Sequence, residues 1–450
     1  MIQRIRNIYT TYQEDFRANT KLAYPIMLGQ LGQIATNLAD NLMVGRLGAA
    51  PLAAVSLSVA IFIIFAIVGL GLSFGLPPLV AEAHSSGKHR RISQLFKHSM
   101  IINVAFALIA MAVMLGLIPL LSMMGQDVEV IDLARPYLRI CAFSLIPMMI
   151  FQTFRCFSDG MSETLPPMIA MIVGNVINIL VNYVLIFGNW GAPHMGVAGA
   201  AIGTFVARCS MIIVIVALLI NWKDLWSYIK QAQYRVYQSI IFKKLLSISV
   251  PIALQMFFEV GAVAGVAIIM GNLGKEAQAA HQIAINLASI PFLICSGLGM
   301  AAAVRVGRQL GLKNKPGMLR AGESASIQVV FFMTVTAAIF YVFREALPHL
   351  YIDDDAVLSI ASILLIYAAI FQIPDGLQVV TLGMLRGAQD VNRPTIITFI
   401  AYWIIGIPIG VLLSFYFKIG PQGLWIGLVF GFLVASLMLQ YRFRKILKEI

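Results

Sequence analysis

Charged residues make up only 12% of this chain, about half the roughly 25% of a soluble globular domain. So few charges cannot cover a water-facing surface. With 60% hydrophobic residues over 450 positions, the composition is that of a polytopic membrane protein. Cysteine is scarce too. Cys141, Cys156, Cys209 and Cys295 lie in or beside apolar runs without CxxC spacing, so they read as small packing residues rather than disulfide partners or metal ligands. The six histidines form no HExxH or paired-ligand pattern, and no Ser/His/Asp arrangement is evident. A transition-metal centre has no support, and a membrane-embedded enzyme is a remote reading. No cleavable leader is evident, because the first apolar run follows about 20 polar residues and continues too far.

Acids are fewer than bases, 20 against 32, for a net charge of +12. A nucleic-acid partner would account for such a balance, but the cations collect in alternate loops instead. They cluster before the first apolar run, around Lys88 to Lys97, in Lys223 to Lys244, in Arg305 to Arg320, at Arg386 and Arg393, and in the tail. By the positive-inside rule these loops, and with them both termini, are cytoplasmic.

Twelve transmembrane helices are expected, an all-α fold with spans at 20–45, 51–79, 95–122, 131–154, 164–188 and 196–221, then 245–271, 277–304, 321–347, 356–383, 394–417 and 421–441. An internal repeat relates the two sets. A shift of 226 residues places Pro25 on Pro251, Leu47-Gly48 on Leu273-Gly274 and Gly71 on Gly297, and a shift of 227 places Pro147 on Pro374 and Gly160 on Gly387. The expected organisation is an N-lobe (1–221), a connector (222–244) and a C-lobe (245–450), two pseudo-symmetric six-helix bundles in parallel repeat. Such an architecture suits alternating access. The basic, aromatic connector reads either as an amphipathic segment on the membrane surface or as a solvated linker.

Only three acids lie well inside the expected spans: Asp40, Glu259 and Asp375. A carboxylate in hydrocarbon costs several kcal/mol unless protonated, paired or ion-bound, so each is a candidate ion site. None is matched by an acid in the other repeat: Glu259 falls on Gln33, Asp375 on Met148 and Asp40 on Val266. Asymmetric acids on a symmetric scaffold point to function. Pro374 should kink the helix beside Asp375 and free carbonyls for a hard cation. Gln282 and Asn286, one turn apart, are expected near Glu259. Asn175, Asn178 and Asn182 could supply amide oxygens to Asp40, or simply hydrogen-bond between helices. Arg208, the lone cation inside a span, either neutralises Asp40 or snorkels. Met256, Phe257 and Phe258 adjoin Glu259 as candidate lining for flat organic cations.

These residues sit in motifs that resemble the multidrug and toxic compound extrusion (MATE) transporters, in particular their bacterial NorM-like branch. The resemblance runs through Asp40 with MVGRLG at 43–48, IIMGNLG at 268–274, AAHQIAIN at 279–286, AAVRVGRQLG at 302–311, FQIPDGLQVV at 371–380 and RGAQDVNRP at 386–394. It implies a V-shaped exporter of organic cations coupled to Na+ or H+. Motif by motif, Glu259 and Asp375 fall on the family's C-lobe cation site, and Asp40, Asn178, Ala200 and Thr204 on its N-lobe site. Phe371 stands where some members have tyrosine, which removes a ligand oxygen and leaves a lining residue. Asn182 stands where others have a second acid. The expected partners are small cationic amphipathic drugs or dyes and membrane lipid, with no nucleic acid. A monomer is expected in the bacterial cytoplasmic (inner) membrane, with no cofactor beyond the coupling ion. A lipid-linked oligosaccharide flippase of the same superfamily is the alternative, although it would call for a more cationic cavity.

Overall fold

The computed structural model describes residues 2–232 and 238–449, with side chains from Thr11 onward except Met124. A chain in hydrocarbon must satisfy its own backbone, and this one does so as helix throughout. The helices are α1 (Ile2–Gly45), α2 (Ala49–Ser73), α3 (Leu76–Ser85), α4 (His89–Leu117), α5 (Val128–Gly160), α6 (Leu165–Phe187), α7 (Gly196–Asn221), α8 (Lys223–Lys230), α9 (Ser239–Gly271), α10 (Lys275–Gly311), α11 (Lys315–Val342), α12 (Asp355–Gly387), α13 (Asn392–Phe399), α14 (Ile407–Val411) and α15 (Pro421–Glu449). Eleven spans among the described residues are long and apolar enough to cross a membrane. The remaining long helix, α1, carries Gln30, Gln33, Asn37, Asp40 and Asn41 and is too polar to join them.

Two expected spans are interrupted. The run at 51–79 turns at Phe74 and Gly75, because Pro77 and Pro78 have no N–H to continue the helix and are tolerated only in the first turn of a new one, α3. The run at 394–417 widens into π-helical turns at Ile400–Gly406 and Leu412–Tyr416. By contrast α12 continues across Pro374, where a kink was expected. Side-chain caps hold the starts of α5, α11 and α12, where Asp127, Asn314 and Asp354 accept backbone N–H groups of the first turn. Within the expected connector, α8 is an amphipathic helix with Leu225 buried, held to α4 where Tyr228 Oη meets His89 Nδ1 at 2.6 Å. Residues 233–237 of the connector lie outside the described residues.

The chain folds as two compact units, residues 28–253 and residues 1–27 with 254–450. The boundaries fall inside α1 and α9, 226 residues apart, so each helix passes from one unit into the other at the same point of the repeat. The turns after these helices repeat as well. Gly48 (φ 126°) and Gly274 (φ 119°), again 226 apart, occupy a backbone region that favours glycine.

In the 1–27/254–450 unit the first turns of α1 are tied down by ion pairs. Asp15 accepts from Arg305 Nη2 at 2.6 Å and from Arg320 Nη2 at 2.9 Å, while Asn19 bonds Arg305, Ser324 and Gln328. Burial alone would raise the Asp15 carboxyl, but the Arg305 and Arg320 hydrogen bonds outweigh it and hold the group below its ordinary value. A depressed carboxylate contributes stability above its unfolded pKa, near 4, and loses it as pH falls through the folded value. Asp15→Asn should therefore cost about 1–2 kcal/mol at neutral pH. Thermal unfolding at neutral pH and below pH 3 checks this: the gap between variant and parent should close on acidification, and a pH-independent gap contradicts it.

Candidate functional site

Each unit gathers its own polar residues. In the 28–253 unit, α1, α6 and α7 bring Asp40, Asn175, Asn178 and Thr204 to the wall of one cavity of about 460 Å³. Asn182, wholly buried behind that wall, donates to Asp40 Oδ1 at 2.6 Å. With its amide turned to match its neighbours, Asn178 donates to the same oxygen at 2.8 Å. The one-turn spacing of 178 and 182 puts both amides on one face, as the sequence implied. Thr204 Oγ1 lies 3.5 Å from Asn178 Nδ2 and donates to the Ala200 carbonyl at 3.1 Å. A Cβ on Gly203 would collide with the Asn182 amide, so this close approach depends on glycine.

Arg208 lines the same cavity but neither pairs with Asp40 nor snorkels. Its Nη1 donates to Ser144 Oγ, and its guanidinium lies 4.6 Å from the Phe62 ring centroid. Further along the wall, Arg155 pairs at 3.7 Å with Asp159, an acid 1% exposed that sequence reasoning placed in a loop because α5 runs past the expected span end at 154.

In the other unit, Glu259 on α9 accepts from Gln378 Nε2 at 3.2 Å, and Gln378 Oε1 accepts from the Tyr402 hydroxyl at 2.6 Å. Tyr402 is carried by the first π-helical segment, where a wider turn re-aims a side chain. Asp375 sits one turn before Gln378, is 3% exposed, and is near enough to Glu259 for the two carboxylates to repel. Its Oδ1 and both amide atoms of buried Gln372 have no hydrogen-bond partner among the described residues. Buried orphan acceptors beside two carboxylates fit a hard, oxygen-seeking monovalent cation or a proton. Arg386, expected in a loop, is instead in the last turn of α12, where Nη2 donates to Gln255 Oε1 at 3.3 Å.

Three expectations for this unit change. Gln282 and Asn286 lie on an exposed face of α10 and bond each other at 3.1 Å, while Glu259 takes its partner from α12. Phe371 is 4% exposed and stacked between Trp425 and Phe432, so it packs in the core and lines no site. Phe258 is held by Phe399 and by Trp403, which donates to its carbonyl at 3.0 Å; Met256 is half-buried, and Phe257 alone of the three is exposed. Gln378 was within reach of the sequence, three residues after Asp375 on the same helical face. Tyr402 had no local signal to separate it from other aromatics.

A multi-span membrane protein with an internal repeat, a polar cavity in one unit and a buried acid pair in the other is a transporter by class. The MatE family model matches residues 25–184 and 251–412, two blocks that begin 226 residues apart. The multidrug resistance protein MdtK of Edwardsiella ictaluri is 33% identical over 439 residues, covering 96% of each chain. The multidrug resistance protein NorM of Photobacterium profundum is 31% identical over 438 residues, again 96% of each. Among solved structures, the Vibrio cholerae MATE transporter VcmN in its bent form is similar in fold, with a TM-score of 0.88 at 21% identity over 98% of both chains. The eukaryotic MATE transporter AtDTX14 gives a TM-score of 0.86 at 20% identity over 97% of this chain and 98% of its own. The chain belongs to the MatE family of multidrug and toxic compound extrusion transporters.

Proposed function

We propose that this MATE transporter is a secondary active multidrug efflux antiporter that exports amphipathic organic cations in exchange for Na+ or H+. The observation that carries the reading is Asp375, a buried carboxylate with an unpartnered oxygen beside Glu259. Two like charges in a low-dielectric setting attract a cation or take up a proton. Neutralising them removes the attraction for a cationic substrate, so ion entry and substrate release are linked through one set of charges. Asp40, held by Asn178 and Asn182 at an open cavity, is the second acid able to meet the cationic group of a substrate. The curated relatives named as multidrug resistance proteins support the same assignment.

No cofactor beyond the coupling ion is invoked. The loop charges favour both termini in the cytoplasm, and the bacterial relatives favour the cytoplasmic membrane, with membrane lipid as surroundings and a single copy as the working unit. Purified protein in liposomes, loaded with a cationic dye and given a sodium or a proton gradient in separate experiments, tests the reading. One of the two gradients should drive dye movement at least about tenfold above protein-free vesicles, a ratio worth about 1.4 kcal/mol. Dye flux indifferent to both gradients would exclude antiport.

A further inference from the structure

Arg208 sits in the cavity wall with no carboxylate to neutralise it. The ion pairs of this unit among the described residues join Lys88 and Arg91 to Glu82, Arg135 to Asp132, and Arg155 to Asp159, and none engages Arg208. One of its five donors is taken by Ser144, and Phe62 supports the guanidinium plane. The fork is thereby oriented while most of its N–H groups are left for a ligand. A desolvated guanidinium is costly unless an anion meets it, and a carboxylate matches its planar fork bidentately.

Asp40 provides the opposite charge on the same cavity. Thr204, which touches Asn178 and through it Asp40, precedes Arg208 by one turn of α7, about 6 Å of rise. The two charges are thus held apart along one wall that Phe62 and Tyr137 also line. A purely cationic ligand at Asp40 meets the positive field of Arg208, and a purely anionic one at Arg208 meets the negative field of Asp40. A molecule carrying both signs satisfies both walls.

We propose that this cavity is a subsite for zwitterionic aromatic amphiphiles, with Arg208 taking the ligand's carboxylate and Asp40 its cationic group. The inference rests on the export reading above and names a substrate class for it. Ligands whose two charges are separated by roughly one helical turn fit, whereas the adjacent charges of an α-amino acid do not span the pair.

A matched pair of xanthene dyes tests it: rhodamine 110, with a free carboxyl, and rhodamine 123, its methyl ester. Binding of each to the purified full chain is read by fluorescence polarisation, and uptake is read in proteoliposomes. Arg208→Gln should weaken the acid by about tenfold or more while the ester stays within about threefold, as loss of one charge-assisted contact implies. Arg208→Lys keeps the charge but not the fork and should fall between. Equal changes for the two dyes in either variant, or an acid unaffected by both, overturn the subsite. If Arg208→Gln does not fold, Arg208→Lys decides by the same comparison. Wild-type protein that binds neither dye removes the cation-export reading and the subsite with it. Binding of both dyes without a change of selectivity in the variants removes the subsite alone.

Discussion

Gly383→Ala should destabilise the protein by about 3 kcal/mol, the upper part of the usual overpacking range. A Cβ at Gly383 would run into the carbonyl and Cα of Gly299, so α12 and α10 meet here backbone to backbone. A side chain could swing aside, but a helix backbone cannot without moving its neighbours. Gly299 is itself pressed on the Val379 carbonyl, its Cβ position being 3.0 Å from that oxygen, so α10 has no room to retreat. Gly116→Ala is the matched control, because no atom lies within 4 Å of its Cβ position and alanine is the better helix former. Thermal unfolding of the detergent-solubilised full chain should show a clear loss for the first and none for the second. Equal midpoints for the two would mean that the small residues of α10 and α12 are not required for contact.

Glu259→Gln combined with Asp375→Asn should reduce gradient-driven dye efflux on the order of 10²-fold. Each ionised carboxylate supplies a charge-assisted contact of about 1.5–3 kcal/mol, and the pair is removed without change of shape. Gln378 can still donate to the new amide oxygen at 259, so local packing is kept. Tyr402→Phe, which only releases Gln378, should cost a few-fold, about 0.5–1.5 kcal/mol for one neutral hydrogen bond. The ranking matters as much as the size. Transport by the double variant at the parental rate would move the coupling site away from these acids, and a larger loss in Tyr402→Phe would indicate a structural origin.

The spans were legible because each must be apolar over a bilayer's thickness, and the repeat was legible because prolines and glycines mark turns that cannot drift. The first helix was recognised by its place in the repeat rather than by its hydropathy, since the polar face that carries Asp40 dilutes it. The N-unit cluster was readable from one-turn spacing on a single helix, which fixes direction as well as distance. The same rule misled for Gln282 and Asn286. Spacing places two residues on one face but does not say which neighbour that face meets, and here the partner of Glu259 came from α12. Tyr402 and Arg386 depended on a π-helical turn and on the true end of α12, both decided by tertiary packing.

The passage of α1 and α9 between units bears on how such a chain can arise. A single six-helix copy folding alone would keep the long body of its first helix but leave that helix's opening turns with nothing of its own to cover. Two identical copies could cure this by exchanging those turns, each completing the other as swapped protomers do. Joining the copies end to end would keep the exchange and release the two sequences to diverge. Asp15 could then settle against Arg305 and Arg320 in one unit, while the equivalent position 241 holds isoleucine.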